Sequence, residues 1–310
     1  MKLVLYFVRK LMAAFVTLFL AASLSFFVAQ MSGDPTIQIL GASATEETIA
    51  ELRHELGLDR PILVQYGDFI GDLARGDLGK SMLAGEENSS LIAGRIFASA
   101  QLAVLAVLLG VLLGVPLGVY AAAREGRWGD RLTSALAVFG QSIPVFWLGL
   151  TLVMIFSVKF GWLPAGFTGD WKNLVLPVVT LSTIPMARIA RLTRASMTNA
   201  LEDLYVTAAR ARGLKARRVL FIHALKNASL PVITLIGLQV GTLLSGAITV
   251  ETVFAWPGLG TLATQAVQTR DLTLVQALVV FGASAFVLIN LIVDYLYGIV
   301  DPRVRESVKS

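Results

Sequence analysis

Ala74-Arg75-Gly76-Asp77-Leu78-Gly79-Lys80-Ser81 fits a permissive phosphate loop, with Ala where the first Gly would stand. Phosphate chemistry needs a buried strand before such a loop and a helix after it, so that backbone N–H groups converge on the phosphate oxygens. Here a helical pattern comes first and no acidic strand end follows to hold Mg²⁺, so the segment reads as a glycine turn. The chain has two histidines, His54 and His223, and no cysteine. The Lys/Arg bias of the loops puts the histidines on opposite faces of a bilayer, which leaves no pair for metal binding or proton transfer, and His54 reads as a solvated surface residue. No thiol site or disulfide framework is available. Gln141, Ser142, Gln239, Thr242, Ser245 and Asn290 lie in or at the ends of apolar stretches, and their spacing describes the lining of a polar path rather than a catalytic set. Nothing in these residues supports an enzyme acting alone.

The chemistry that is present is electrostatic and mechanical. Residues 188–229 hold nine Lys/Arg against Glu202 and Asp203. At the centre of this stretch lies Ala208-Ala209-Arg210-Ala211-Arg212-Gly213, a small-residue helical pattern closed by glycine. An exposed helix with almost no side-chain relief, ended by Gly, suits seating in another protein's groove. The chain reads as a membrane part moved by something else.

Positioning these residues requires membrane helices. Of the 310 residues, 55% are hydrophobic and 15% charged, against about 25% charged in soluble domains. A span needs roughly 20 apolar residues, and uncharged runs meet this at Leu11–Met31, Ile96–Ala123, Leu132–Val158, Asn227–Val250 and Leu272–Val293. A sixth span is predicted from Asn173–Ala187, which carries Pro177 and Pro185 and reaches full length only through Arg188 and Ile189. The first run, at 21 residues, exceeds the core of a cleaved signal and reads as a retained helix.

Charge sets the orientation, because cytoplasmic loops accumulate Lys and Arg. Six spans place both termini on one side, where 18 Lys/Arg meet six Asp/Glu for a net +12. The other side holds eight Lys/Arg and 14 Asp/Glu, a net of −6, with Asp294 alone left inside a span. The expected protein is therefore an all-α, multi-pass membrane protein with cytoplasmic termini. Its predicted domains are an N-terminal helix with an outer docking segment over 1–95, a membrane core over 96–300 and a cytoplasmic tail over 301–310.

The outer segment, Ser32–Arg95, has 64 residues with 11 acids and five bases. Thr45 is placed to cap a helix that presents Ile49, Leu52 and Leu56 and ends at Gly57. Pro61 opens a second helix with Tyr66, Phe69, Ile70 and Leu73 on one face and Gly76 at its stop. These faces either pack on the membrane domain or receive an outer partner. Gly110, Gly114, Gly118 and Ala122 form one small-residue stripe, and Gly237, Gly241, Ser245 and Thr249 a second. Each stripe permits close helix approach, within one subunit, at a subunit seam or beside a polar path. Prolines 116, 144, 177, 185 and 231 are tolerated in spans where neighbours satisfy the released carbonyls. Asp294, near the inner end of its span, suits a structural partner better than a proton relay.

Thr207-Ala208-Ala209 followed by Gly213 resembles the Glu-Ala-Ala-x3-Gly motif of ABC importer permeases, with Thr207 in place of Glu. Lys226 stands where the general motif has Pro, and Leu230-Pro231 follows. Leu56-Gly-Leu-Asp-Arg-Pro61, Arg75-Gly-Asp-Leu-Gly79, Ser142-Ile-Pro-Val-Phe-Trp-Leu-Gly149, Gly161-Trp-Leu-Pro164, Glu251-Thr-Val-Phe-Ala-Trp-Pro-Gly-Leu-Gly260 and Asp301-Pro-Arg303 resemble the oligopeptide and dipeptide (peptide/nickel) branch. The resemblance covers essentially the whole chain. It implies a type I importer fold with a coupling helix over Leu201–Arg212, seated on an ATPase subunit, and Thr207, Ala208, Ala209, Arg210, Arg212, Gly213 and Leu214 as coupling residues. Arg210, Arg212, Arg217 and Arg218 would meet acidic groups of the ATPase or anionic lipid.

The same resemblance implies a bacterial-type cytoplasmic (inner) membrane, a second homologous permease, two ATPase subunits that use ATP and Mg²⁺, and an extracytoplasmic solute-binding protein. No cofactor is expected on this chain, and no nucleic-acid partner. Peptide is the expected cargo, with nickel complexes, glutathione and oligosaccharides as alternatives within similar permeases. Two other classes stand beside this reading. A self-sufficient secondary transporter would need an ion site or inverted repeats, and a non-transporting scaffold or sensor would use the basic stretch for lipid.

Overall fold

The structure, a computed structural model, describes residues 2–31, 33, 35, 36, 40, 41 and 44–300, and the side chains of these apart from 2–7, 245, 246, 294 and 296–300. The predicted tail over 301–310, with Asp301-Pro-Arg303, lies outside the described residues. So do the side chains of Ser245 and Asp294. The chain divides into two compact units, one holding Leu3–Ser99 and Pro257–Val287, the other Ala100–Trp256 and the chain from Leu288.

In the first unit, α1 (Lys2–Met31) carries the first apolar run. Thr45 caps α2 (Glu46–Glu55) as expected, its side chain accepting from the Thr48 N–H. The face predicted on α3 (Ile62–Ala74) packs on α1: Tyr66 and Phe69 meet Phe26 at ring distances of 5.4 Å. Beside them Ser23 Oγ and Tyr66 OH share a 2.7 Å hydrogen bond, and Gln30 Nε2 donates to Gln65 Oε1 at 2.8 Å. Gly76 ends α3 in the left-handed region at φ 82°, with the Asp77 N–H donating back to the Asp72 carbonyl. The segment that mimics a phosphate loop is indeed a turn. Asp77 Oδ1 accepts from the Gly79 N–H at 2.8 Å, Lys80 Nζ lies 3.3 Å from Glu87 Oε1, and the Ser81 hydroxyl donates to Asp271. Asp271 also accepts from the Leu274 N–H at 3.2 Å, capping α12 (Leu272–Val300). Ahead of it, α11 (Leu259–Gln268) contributes Leu262 and Ala266 to a small core with Leu274.

In the second unit, the part of α4 (Asn88–Ala123) beyond Ser99 packs along α7 (Val175–Glu202). The glycine stripe of α4 is the contact. A Cβ on Gly110 would lie 3.1 Å from the Met186 N, one on Gly114 2.8 Å from the Met186 O, and one on Gly118 2.6 Å from the Ala190 O. Packing inside one chain is thus what this stripe does. In the second stripe, a Cβ on Gly237 would strike Val293, again within the unit.

The structure breaks two of the predicted spans and bears out the sixth. The uncharged run Leu132–Val158 is not one straight helix. It is α5 (Trp128–Ser142) followed by α6 (Val145–Leu152), which continues as a π-helical stretch to Lys159, the two halves bent by 95°. Pro144 has no N–H to donate and forces Ile143 into an extended conformation, with ψ 126°, so α5 must stop there. Conversely, the short sixth span is part of a helical segment running from Trp171 to Glu202. Arg188, Arg191 and Arg194 therefore belong to α7 and not to a loop. The basic stretch then continues as α8 (Leu204–Ala211), a short turn at Ala216–Arg218, a π-helical stretch at Val219–Ala224 and α9 (Leu225–Gly246). The predicted run to Val250 is interrupted at Ala247, and α10 (Ile248–Val253) follows.

Candidate coupling surface and polar path

In α8, Val206 and Ala209 lie three residues apart on one face and are buried against Val219, with Leu201, Tyr205 and Leu214 around them. The opposite face is left outside. Leu204 is 87% exposed, and Thr207, Ala208, Arg210, Ala211 and Arg212 are exposed with it. Of the two alanines expected to permit close approach, only Ala208 faces outward; Ala209, 8% exposed, fastens the helix to its own chain.

The end of α8 is fixed by backbone geometry. Gly213 adopts φ 76°, its N–H donates to the Arg210 carbonyl at 2.9 Å, and the Leu214 N–H reaches the Ala209 carbonyl at 3.3 Å. Those two bonds form a Schellman closure, and the side chain of Leu214 supplies the apolar contact that accompanies it. The result is a short helix with a defined end, whose exposed face carries Thr207, Ala208 and Ala211 beside Arg210 and Arg212. Lys215, Arg217 and Arg218 continue the positive surface beside the exposed Phe221 and Ile222.

The predicted path residues separate. Gln141 is half-buried, Ser142 is exposed at the bend with its Oγ donating to the Val138 carbonyl at 2.9 Å, and Thr242 is exposed with its hydroxyl on the Leu238 carbonyl at 2.9 Å. Asn290 is half-buried on α12. Gln239 is not an open lining residue: it is 1% exposed, and its Oε1 accepts from Arg188 Nη1 at 2.9 Å.

The sequence places Arg188 among the nine cations and at the end of the sixth span, but does not pair it with Gln239. Nor does it reveal the ion pair between Asp130 and Arg194. There the guanidinium forks onto the carboxylate, Nε to Oδ1 and Nη2 to Oδ2, the latter at 2.8 Å. The three-residue spacing of Arg188, Arg191 and Arg194 was the available signal, because each successive i, i+3 pair is adjacent on a helix surface and the row winds gradually around it. Among the described residues no group of His, Cys, Asp or Glu could hold a metal ion.

α8 is thus fastened to its own chain on one face and left bare on the other. Residues 114–306 match the family described as "Binding-protein-dependent transport system inner membrane component", and residues 3–111 match that family's N-terminal region. The chain belongs to this family.

It is the membrane permease subunit of an ABC importer, an inner-membrane protein. The glutathione transport system permease protein GsiC of Escherichia coli (strain K12) is 40% identical over 301 residues, covering 97% of this chain and 98% of that one. GsiC of Salmonella typhimurium (strain LT2) is 41% identical over the same length and coverage. Among solved structures, inward-facing MetNI, a methionine ABC transporter, matches with a TM-score of 0.55 at 20% identity, over 68% of this permease and 96% of that chain. An amino acid ABC transporter crystallised with histidines matches with a TM-score of 0.52 at 18% identity, over 69% and 94%. These likenesses establish the type I importer permease fold.

Proposed function

We propose that this permease carries peptides inward, delivered by an extracytoplasmic solute-binding protein, and that α8 with Gly213 is the element through which ATPase subunits move it. The observation that supports coupling at this place is the division of α8 into a buried face, Val206 and Ala209, and an exposed face, Thr207, Ala208, Ala211 and the arginines. The peptide cargo rests on the relatives' glutathione, a tripeptide, matched over nearly the whole of both chains.

In this reading the chain pairs with a second, homologous permease, and two ATPase subunits hydrolyse Mg·ATP beneath the pair. The excess of Lys and Arg over acids on one set of loops orients α8 and both termini toward the cytoplasm. The first 95 residues then supply the outer docking segment, and Gln141, Ser142, Thr242 and Asn290 line the path. ATP-driven closure of the ATPases displaces α8 as a rigid lever, and the helices fastened to it expose the path alternately to each side.

The test is purification in mild detergent, with copurified proteins identified and ATP hydrolysis measured with and without peptide-loaded binding protein. A second permease and ATPase subunits with stimulated hydrolysis are expected. Recovery of this chain alone, under conditions that preserve other ABC importers, would favour a secondary transporter or a scaffold.

A further inference from the structure

Arg188, Arg191 and Arg194 follow one another down α7 at three-residue steps, about 4.5 Å apart along the axis and each turned about 60° from the last. They are compensated unequally. Arg194 is neutralised by the carboxylate of Asp130. Arg188 is held by a neutral group, the amide oxygen of Gln239, at 2.9 Å. Arg191 is exposed. Among the described residues, no carboxylate forms an ion pair with Arg188 or Arg191.

A charged side chain within a span is retained when it faces a water-filled cavity or meets a counter-charge. Arg188 is half-buried and its guanidinium reaches Gln239, which is buried, so the charge is turned into the protein. The Gln239 oxygen fixes the guanidinium through one N–H and leaves its charge intact. The unused edge of the fork retains the paired donors that match a carboxylate. A Glu at 239 would have cancelled the charge; the Gln aims it without cancelling it.

Resting on the reading of this chain as a peptide permease, we infer that Arg188 and Arg191 form a carboxylate-binding step in the translocation path that takes the free carboxylate of the transported peptide. Arg188 is the aimed first contact. Arg191, one turn further toward Glu202, receives the group next, and the neutralised Arg194 ends the stripe so that the anion is not held at its exit. The cargo class is accordingly a peptide with an unblocked carboxyl terminus, and the same chemistry suits the carboxylates of glutathione.

The test uses the complete importer in proteoliposomes, with the binding protein saturated in turn with a labelled tripeptide and with its C-terminal amide, in membranes with and without phosphatidylglycerol. Wild type is expected to move the free acid about tenfold faster than the amide, as befits one charge-assisted contact made during transport. Gln239→Glu and Arg188→Gln should each slow free-acid uptake about tenfold and erase the discrimination, with Gln239→Glu leaving the thermal midpoint unchanged or higher. Arg191→Gln should do the same to a smaller extent.

Wild-type uptake by Gln239→Glu, or variants that still discriminate acid from amide, would overturn the inference. Equal loss for both cargoes together with a lowered midpoint would make the arginines structural. Effects that appear only with phosphatidylglycerol present would assign them to lipid. Failure of the intact wild-type complex to move either peptide would instead remove the peptide reading, and this inference with it.

Discussion

Arg194 closes a two-pronged contact on Asp130 across 64 positions of sequence, joining the cytoplasm-proposed ends of α5 and α7. Asp130 also accepts from the Gly126 N–H at 3.0 Å, so the same carboxylate pins the turn between α4 and α5. Removing one partner of a buried pair leaves the other charge uncompensated, a loss of roughly 3–5 kcal/mol for fully buried pairs. With the Arg194 side chain one-third exposed, a loss at the low end, about 3 kcal/mol, is expected for Asp130→Asn. Arg194→Lys, which keeps the charge but cannot fork, should lose less. Thermal unfolding in detergent measures both, and Arg194→Lys falling as far as Asp130→Asn would contradict the two-pronged account.

The glycine stripe on α4 predicts a graded response. A methyl on Gly118 meets the Ala190 O and the Thr193 Cβ, each at 2.6 Å, whereas one on Gly110 finds its nearest atom at 3.1 Å. Backbone on the facing helix cannot swing aside as a side-chain tip can. Overpacking of this kind costs typically about 1–3 kcal/mol, so Gly118→Ala should destabilise most, Gly114→Ala less and Gly110→Ala least. The order of thermal midpoints checks it, and a reversed order would mean that α4 and α7 do not meet along this register.

Hydropathy found where apolar segments lie, because an uncharged run of sufficient length leaves a chain few alternatives in a bilayer. The predicted end of the second span, Ala123, is also the end of α4. Hydropathy could not see the break at Pro144, since Ser142, Ile143 and Pro144 are as uncharged as their neighbours and the consequence of proline lies in backbone geometry. It undervalued the Asn173–Ala187 span for the opposite reason. Arg188 and Arg194 look like termination signals until Gln239 and Asp130 are known to meet them, and those partners are 51 and 64 residues away in sequence. The candidate site divides in the same manner. The smoothness of α8 and its closing Gly213 are local properties of a short string, but the choice of Ala209 as anchor and Ala208 as outer surface depends on contact with Val219.

On the first unit, His54 Nδ1 and Asp59 Oδ2 are 2.7 Å apart on the solvated surface. The hydrogen bond to Asp59, aided by its charge, holds the imidazolium above the usual histidine value of 6.5. Asp59 is lowered from 3.8, chiefly by the same bond. A raised histidine contributes its stabilisation below its unfolded value and loses it as pH rises through the folded one. A depressed aspartate contributes above its unfolded value and loses it as pH falls through the folded one. The pair is therefore strongest in the window between. Histidine-selective NMR titration should place one of the two imidazoles above 6.5, and Asp59→Asn should return it toward that value. An unmoved titration in the variant would contradict the contact.

Gly213 gives the sharpest test of the coupling assignment, because strain and space can be separated there. No atom would crowd a Cβ at this position, yet its φ of 76° is one that L residues other than Asn and Asp seldom adopt. Gly213→Val must therefore either hold a strained backbone, at about 1–3 kcal/mol, or release the Schellman closure and let the end of α8 shift. Gly213→Asn can keep the conformation and the closure. In the reconstituted importer, Gly213→Val should lower uptake per ATP hydrolysed by about tenfold, with membrane insertion intact, while Gly213→Asn stays within about threefold of wild type. If α8 is the lever, its exact termination determines how far displacement of its exposed face is passed to Val206, Ala209 and the helices behind them. Normal uptake by Gly213→Val would place the transmission elsewhere in the chain.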